Sequence, residues 1–199
     1  MFSIFTFGRD LYTIRKALML SSLLFIIGIA VGWIGTGSLE RLLMQQLQGL
    51  GSISEKLRES SNPQLSFFVF IFLNNSIKGI LIIFLGALFG ILPAIFLLIN
   101  GAVIGFLVHT FVLQGKDVFE LIVKGLLPHG IIEIPAIIIA CAFGLQFGAN
   151  VAASMVRRTR SGGDWPSFMR QTLTASIWIV ILLLIAAVIE STVTFALLS

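Results

Sequence analysis

Gly125-Leu-Leu-Pro-His-Gly-Ile-Ile-Glu-Ile-Pro-Ala-Ile-Ile-Ile139 holds His129 and Glu133 between Pro128 and Pro135, inside a run that is otherwise apolar. An ionisable side chain in hydrocarbon is costly on any insertion scale, so it faces the protein interior and a partner. If the backbone is helical after Pro128, positions 129 and 133 lie one turn apart on one face. Pro128 then sits in a first turn, where its missing N–H costs nothing. Pro135 instead frees a carbonyl and predicts a kink or break. The stretch reads as a polar site in a membrane helix broken between Pro128 and Pro135.

The rest of the chain agrees with a bilayer. Its 199 residues are 57% hydrophobic and 11% charged, whereas ordinary globular chains are about a quarter charged. A spanning helix needs about 20 apolar residues, so the length allows five or six spans and no sizeable soluble domain. The predicted fold is all-α: one polytopic transmembrane helical bundle of five spans over residues 1–199. The formal net charge of +4 is not read as a nucleic-acid signature, because the basic residues cluster in short loops that set orientation. Cys141 is the single cysteine, which excludes an intramolecular disulfide framework.

Taken in order, residues 2–16 combine Phe2, Ile4, Phe5, Phe7, Leu11 and Ile14 with Arg9, Arg15 and Lys16. That mixture suits a short interfacial helix, and a partly ordered tail is the alternative. A first span follows from Ala17 to Gly35. In residues 38–62, Leu39, Leu42, Leu43, Leu47 and Leu50 recur at helical spacing. Ser52 to Glu55 fits a capping box for a second short helix, making an amphipathic hairpin outside the bilayer. Further spans are expected over 65–90, over 93–113 after a tight turn at Pro93, and over 173–197. Between the last two, a half-length helix ends at Leu127, and a longer one runs from Ile131 to Val156. Arg9, Arg15 and Lys16 share a side with Arg157, Arg158, Arg160 and Arg170 if there are five crossings. The positive-inside rule then predicts a cytoplasmic N-terminus and an outside C-terminus.

Two sets of residues stand out within the spans. Gly28/Gly32, Gly86/Gly90, Gly101/Gly105 and Gly144/Gly148 are small-xxx-small steps that let helix backbones approach closely, within the bundle or at a homodimer face. The second set is polar: Asn74, Asn75, Lys78, Asn100, His129 and Glu133, with His109 and Glu190 as further members. These side chains either lock one bundle geometry or line a cavity for an ion, a proton or a small solute. Lys78 could neutralise Glu133 or Glu190 at depth. His129 and Glu133 are too few ligands for a metal site and the His-Glu-x-x-His pattern is missing, so no metal or other cofactor is expected. No nucleophile–base set or phosphate loop is legible, so no catalytic residue is assigned and the chain reads as no enzyme.

Phe72-Leu-Asn-Asn-Ser76, Asn100-Gly101 with Gly105, and Leu127-Pro-His-Gly-Ile-Ile-Glu-Ile-Pro-Ala136 together resemble the stage II sporulation protein M family. The resemblance covers roughly residues 65 to 150. It implies a protein of about five spans that, in endospore formers, sits in the septal membrane with sporulation proteins D and P during engulfment. There the M protein anchors and organises, while D and P cut the peptidoglycan. Relatives also occur in organisms that do not sporulate. Two functions follow as expectations: a scaffold whose 38–62 segment recruits extracytoplasmic partners, and a transporter or channel built on the polar set. The scaffold is the expectation preferred, chiefly because of the family; besides such partners and the lipid bilayer, a homo-oligomer is possible.

Overall fold

Backbone amides in a bilayer have no water to bond, so long apolar runs must satisfy them internally as helices. The computed structural model describes residues 3–35, 37–156 and 165–194, and every regular element among them is helical. Helix α1 (Ile4–Thr13) is capped by Ser3, whose hydroxyl accepts from the Phe5 amide. It leads into α2 (Arg15–Ile34), followed by α3 (Ser38–Arg58), α4 (Pro63–Leu85) and α5 (Ile91–Leu113). A single turn, α6 (Val118–Glu120), runs into a π segment (Leu121–Leu126), then α7 (Leu127–Val156), α8 (Trp165–Ile189) and a second π segment (Glu190–Thr194). Five of these helices are long and apolar enough to cross a membrane, the number predicted. The loop with Arg157, Arg158 and Arg160, on which the orientation leans, lies outside the described residues.

Four local expectations are corrected. The predicted hairpin over 38–62 is one helix. It runs through Gly49 and Gly51, and Ser52 does not start a new element but donates its hydroxyl to the Gly49 carbonyl at 2.9 Å. The reversal after α4 lies at residues 86–90, ahead of Pro93, where Phe89 (φ 55°) and Gly90 (φ 75°) both enter the left-handed region. The last span starts at Trp165 rather than Leu173, taking Arg170 into its first turns. Finally, there is no break between Pro128 and Pro135, because α7 is continuous through both. A helical proline removes one hydrogen bond and crowds the carbonyl four residues back. For Pro128 that carbonyl belongs to Lys124, inside the π segment, whose wider winding makes room for it.

Helix α7 is the centre of the bundle. Ala136, Ala140, Cys141, Ala142 and Phe143 are wholly buried, and α7 packs against α2, α4, α5 and α8. Phe143 and Phe147 meet Phe168 and Trp165 of α8 edge-on or stacked, with ring centroids 5.5 to 6.4 Å apart. Glycines set the other contacts. A Cβ on Gly86 would run into the backbone of Gly144, and one on Gly148 into the backbone at Phe89 and Gly90. Gly28 and Gly32 likewise lie on the backbone of Leu98 and Ala102, and Gly101 and Gly105 on that of Phe25 and Ile29. Because residue numbers rise together along each contact, α4 runs parallel to α7 and α2 parallel to α5.

The amphipathic elements lie against the spans. In α1, Phe7 stacks on Trp178 of α8 at 5.8 Å, and the Arg15 guanidinium covers the Tyr12 ring at 4.5 Å. Asp10, one turn after Phe7, is buried with it. Burial pushes its carboxyl above the ordinary range, against the opposing pull of Arg9. Helix α3 is pinned by Leu43, packed with Ala102 and Phe106 of α5 and flanked by Leu39 and Leu47.

Two outcomes are expected. A methyl at Gly144 would sit 2.6 Å from Pro93 Cγ and 2.8 Å from the Ile82 carbonyl oxygen. Gly144→Ala should therefore destabilise the bundle by about 1–3 kcal/mol, whereas Gly49→Ala, with no neighbour within 4 Å, should stabilise α3 by up to about 1 kcal/mol. Thermal unfolding in detergent compares the two, and equal effects would sink the close-contact account. For Asp10, the folded-state pKa is raised, so native stability falls as pH rises from the ordinary carboxylate range through the higher folded value. Asp10→Asn should raise the melting temperature at neutral pH, with the gain vanishing in acid. A gain independent of pH would refute the burial cause.

Candidate functional site

The polar residues of α4, α5 and α7 come together because each helix turns the right face inward. Asn62 caps α4 by accepting from the Leu65 amide at 3.2 Å, with Pro63 in the first turn. From that start Asn75, Lys78, Gly79 and Ile82 fall at i, i+3, i+4 and i+7 on one face. Helix α5 brings Phe96 and Asn100 one turn apart, and α7 brings Glu133, Ile137 and Ala140. These nine residues line one cavity of about 40 Å³. A single water fits in less than that, and a drug-sized solute does not fit.

The hydrogen bonds are specific. Asn75 Nδ2 donates to Glu133 Oε1 at 2.8 Å, across 58 residues of sequence. Asn74 Nδ2 donates to Asn75 Oδ1 at 3.2 Å and so orients that amide. Asn100 Nδ2 donates to the Phe96 carbonyl one turn back at 2.8 Å, which leaves its side-chain oxygen as an acceptor. Lys78 lines the cavity yet is exposed at the bundle surface, as a long side chain that buries its stem and frees its head. The expected ion pair is not made: Lys78 comes within 4.0 Å of neither Glu133 nor Glu190, whereas Lys124 and Glu120 form an exposed i, i+4 pair. The direct partner of Glu133 is Asn75.

Glu190 opens the second π segment, which packs against both α4 and α7, and it does not line the cavity. Other predicted members go elsewhere. Asn74 faces an apolar groove with Leu57, Leu65, Val69 and Leu73. His109 stacks on Trp33 of α2, with ring centroids 5.1 Å apart and tilted by 36°. His129 is on the α7 backbone, and its side chain lies outside the described residues. Pro135 is exposed on α7 and touches none of this. Sequence reading missed Gly79, Ile82, Phe96, Ile137 and Ala140 as lining residues. Gly79 carries a signal, a small residue one turn after Asn75, and the other four look like any apolar residue of a span.

Comparison with known proteins fits this architecture. A family model described as stage II sporulation protein M matches residues 21–195. Two uncharacterized proteins of Methanocaldococcus jannaschii are each 27% identical. With one, the match covers 89% of this chain and 93% of the relative; with the other, 56% and 50%. No solved structure matches.

The Asn75–Glu133 bond is testable as a pair. Interhelical hydrogen bonds in membranes average about 0.6 and reach about 1.7 kcal/mol in double-mutant cycles. Asn75→Ala and Glu133→Ala should give a coupling energy in that range by unfolding in bicelles. A coupling of zero would remove the bond from the account of what holds α4 to α7.

Proposed function

This chain belongs to the stage II sporulation protein M family, and from that premise we propose that it is a membrane-embedded scaffold that gathers partners for remodelling of the cell envelope. The observation that carries the reading is α3. Leu43 and its neighbours hold that helix to α5, while Leu42 and Leu50 remain exposed on it, at 60% and 54% of their surface. Glu40, Arg41, Glu55 and Lys56 are exposed along the same helix. Apolar side chains left uncovered among charges offer a docking face. Rigidity also favours a scaffold, since glycine contacts without intervening side chains join α2 to α5 and the α4–α5 turn to α7.

In this reading the chain performs no catalysis itself. Its partners are extracytoplasmic envelope-cutting enzymes, by family resemblance the sporulation proteins D and P in an organism that forms spores. Helix α3 and the C-terminus then lie outside, and the N-terminus is cytoplasmic. A second reading, a small-solute or ion transporter or channel, draws support from the cavity lined by Asn75, Lys78, Asn100 and Glu133. The cavity's small volume weighs against a solute path.

The deciding experiment is a pull-down from native membranes with two variants run in parallel. Replacing Leu42 and Leu50 by Ser should abolish co-purification of the envelope hydrolases without lowering thermal stability. His129→Ala, if it folds, should keep both its partners and cellular function. A folded His129→Ala protein that holds its partners but is inactive would overturn the scaffold in favour of transport.

A further inference from the structure

Helix α4 carries two polar side chains on the side that the bundle leaves uncovered. Asn74 stands at the middle of α4 and lines the open groove with Leu57 of α3 and with Leu65, Ser66 and Leu73. Lys78 follows Asn74 by four residues and Asn75 by three, so it stands between the groove face and the cavity face. It is exposed there, and so are Leu73, Ile77 and Leu81 around it. The 58-residue offset between α4 and α7 sets Lys78 level with Ala136, which is wholly buried. The lysine therefore lies at the depth of the core and not at a helix end.

Such a surface is costly in a bilayer. Ionisable groups within spans ordinarily turn to the bundle interior and a partner, and amides in hydrocarbon need hydrogen bonds. Among the described residues Lys78 comes within 4.0 Å of no carboxylate and donates no hydrogen bond. Asn74 donates one N–H to Asn75 Oδ1, which leaves its second N–H unpaired. Both positions thus offer donors, one turn apart on neighbouring parts of the same surface. A carboxylate accepts from both, and its bond to the lysine is charge-assisted. Other occupants match less well. An acyl chain can fill the groove but brings no acceptor. A second copy packed α4 to α4 would set Lys78 against Lys78. A helix, by contrast, carries a carboxylate to this depth with its own backbone satisfied.

We propose that the face of α4 around Asn74, Ile77 and Lys78 docks a transmembrane helix of another protein, which presents an Asp or Glu carboxylate to Lys78 and Asn74. This deepens the scaffold reading and rests on it, because such a protein is one of the partners gathered. The face lies at bilayer depth, and the exposed leucines of α3 are a separate surface.

The test replaces Ile77 by a benzophenone-bearing phenylalanine and photocrosslinks the full chain in native membranes, with mass spectrometry of the adduct. The expected adduct is a peptide from a transmembrane segment of another protein that contains Asp or Glu. The same label at Leu23, exposed on α2, should not yield it. Lys78→Met should lower the yield about tenfold, near the strong end for one interhelical polar contact, while Lys78→Arg, which keeps the donors, should retain it. Changing the partner's own carboxylate to Lys should abolish the adduct, and combining that change with Lys78→Glu should restore it. Adducts with lipid alone or with a second copy would overturn the proposal, as would a yield that Lys78→Met leaves unchanged. Should Lys78→Met fail to fold, removal of the partner's carboxylate decides in its place, since it leaves this chain unaltered. The Leu42 and Leu50 variant separates the two readings. An adduct that persists in it, with hydrolases still captured, counts against the α3 face alone, whereas hydrolases lost from it with no adduct ever formed at Ile77 overturn this face alone.

Discussion

Gly86 and Gly144 bring the backbones of α4 and α7 together with no side chain between them, and the polar core depends on that contact. Lipid tails are as apolar as leucine, so helices in a bilayer are held by close packing and by polar bonds rather than by hydrophobic burial. The contact also fixes register. Gly86 meets Gly144 and Gly90 meets Gly148 at the same 58-residue offset that separates Asn75 from Glu133. Parallel helices clamped at one end stay aligned three turns away, and that alignment sets the asparagine opposite the glutamate. The polar bond is short because the glycines let the helices lie close.

The same clamp shapes the turn between α4 and α5. Gly148 presses on the backbone at Phe89 and Gly90, where the chain reverses through two left-handed residues. For a phenylalanine that conformation is strained, and it persists because α7 leaves little other room. Helix α5, launched from this turn, carries Asn100 to the cavity and Gly101 and Gly105 to α2. One compact reversal therefore ties three spans to a common arrangement.

Close packing at the core leaves the amphipathic helices α1 and α3 on its outside. Helix α3 rides on one end of α5 with part of its apolar stripe uncovered, while Asn74, Asn75 and Glu133 bond one another within the bundle.

The spans were legible in the sequence because crossing a bilayer is a matter of length and hydropathy, both local properties. Asn75, Lys78, Asn100, Glu133 and Glu190 were legible as individuals, since a polar group in an apolar run is conspicuous wherever it points. Their grouping was not. His109 carried the same signal and stacks on Trp33 instead, and Lys78 looked like the partner of Glu133 although Asn75 is. Which face meets which neighbour depends on helix rotation and offset, set by glycines far along the chain. The prolines misled for a related reason: each removes one local hydrogen bond, and packing around α7, together with the π turn before it, outweighs that loss. The sequence by itself determined that the chain is a five-span membrane protein with polar groups at depth, because the bilayer judges each segment alone. Only the tertiary structure decided which of those groups share a cavity, because that depends on contacts between segments many residues apart.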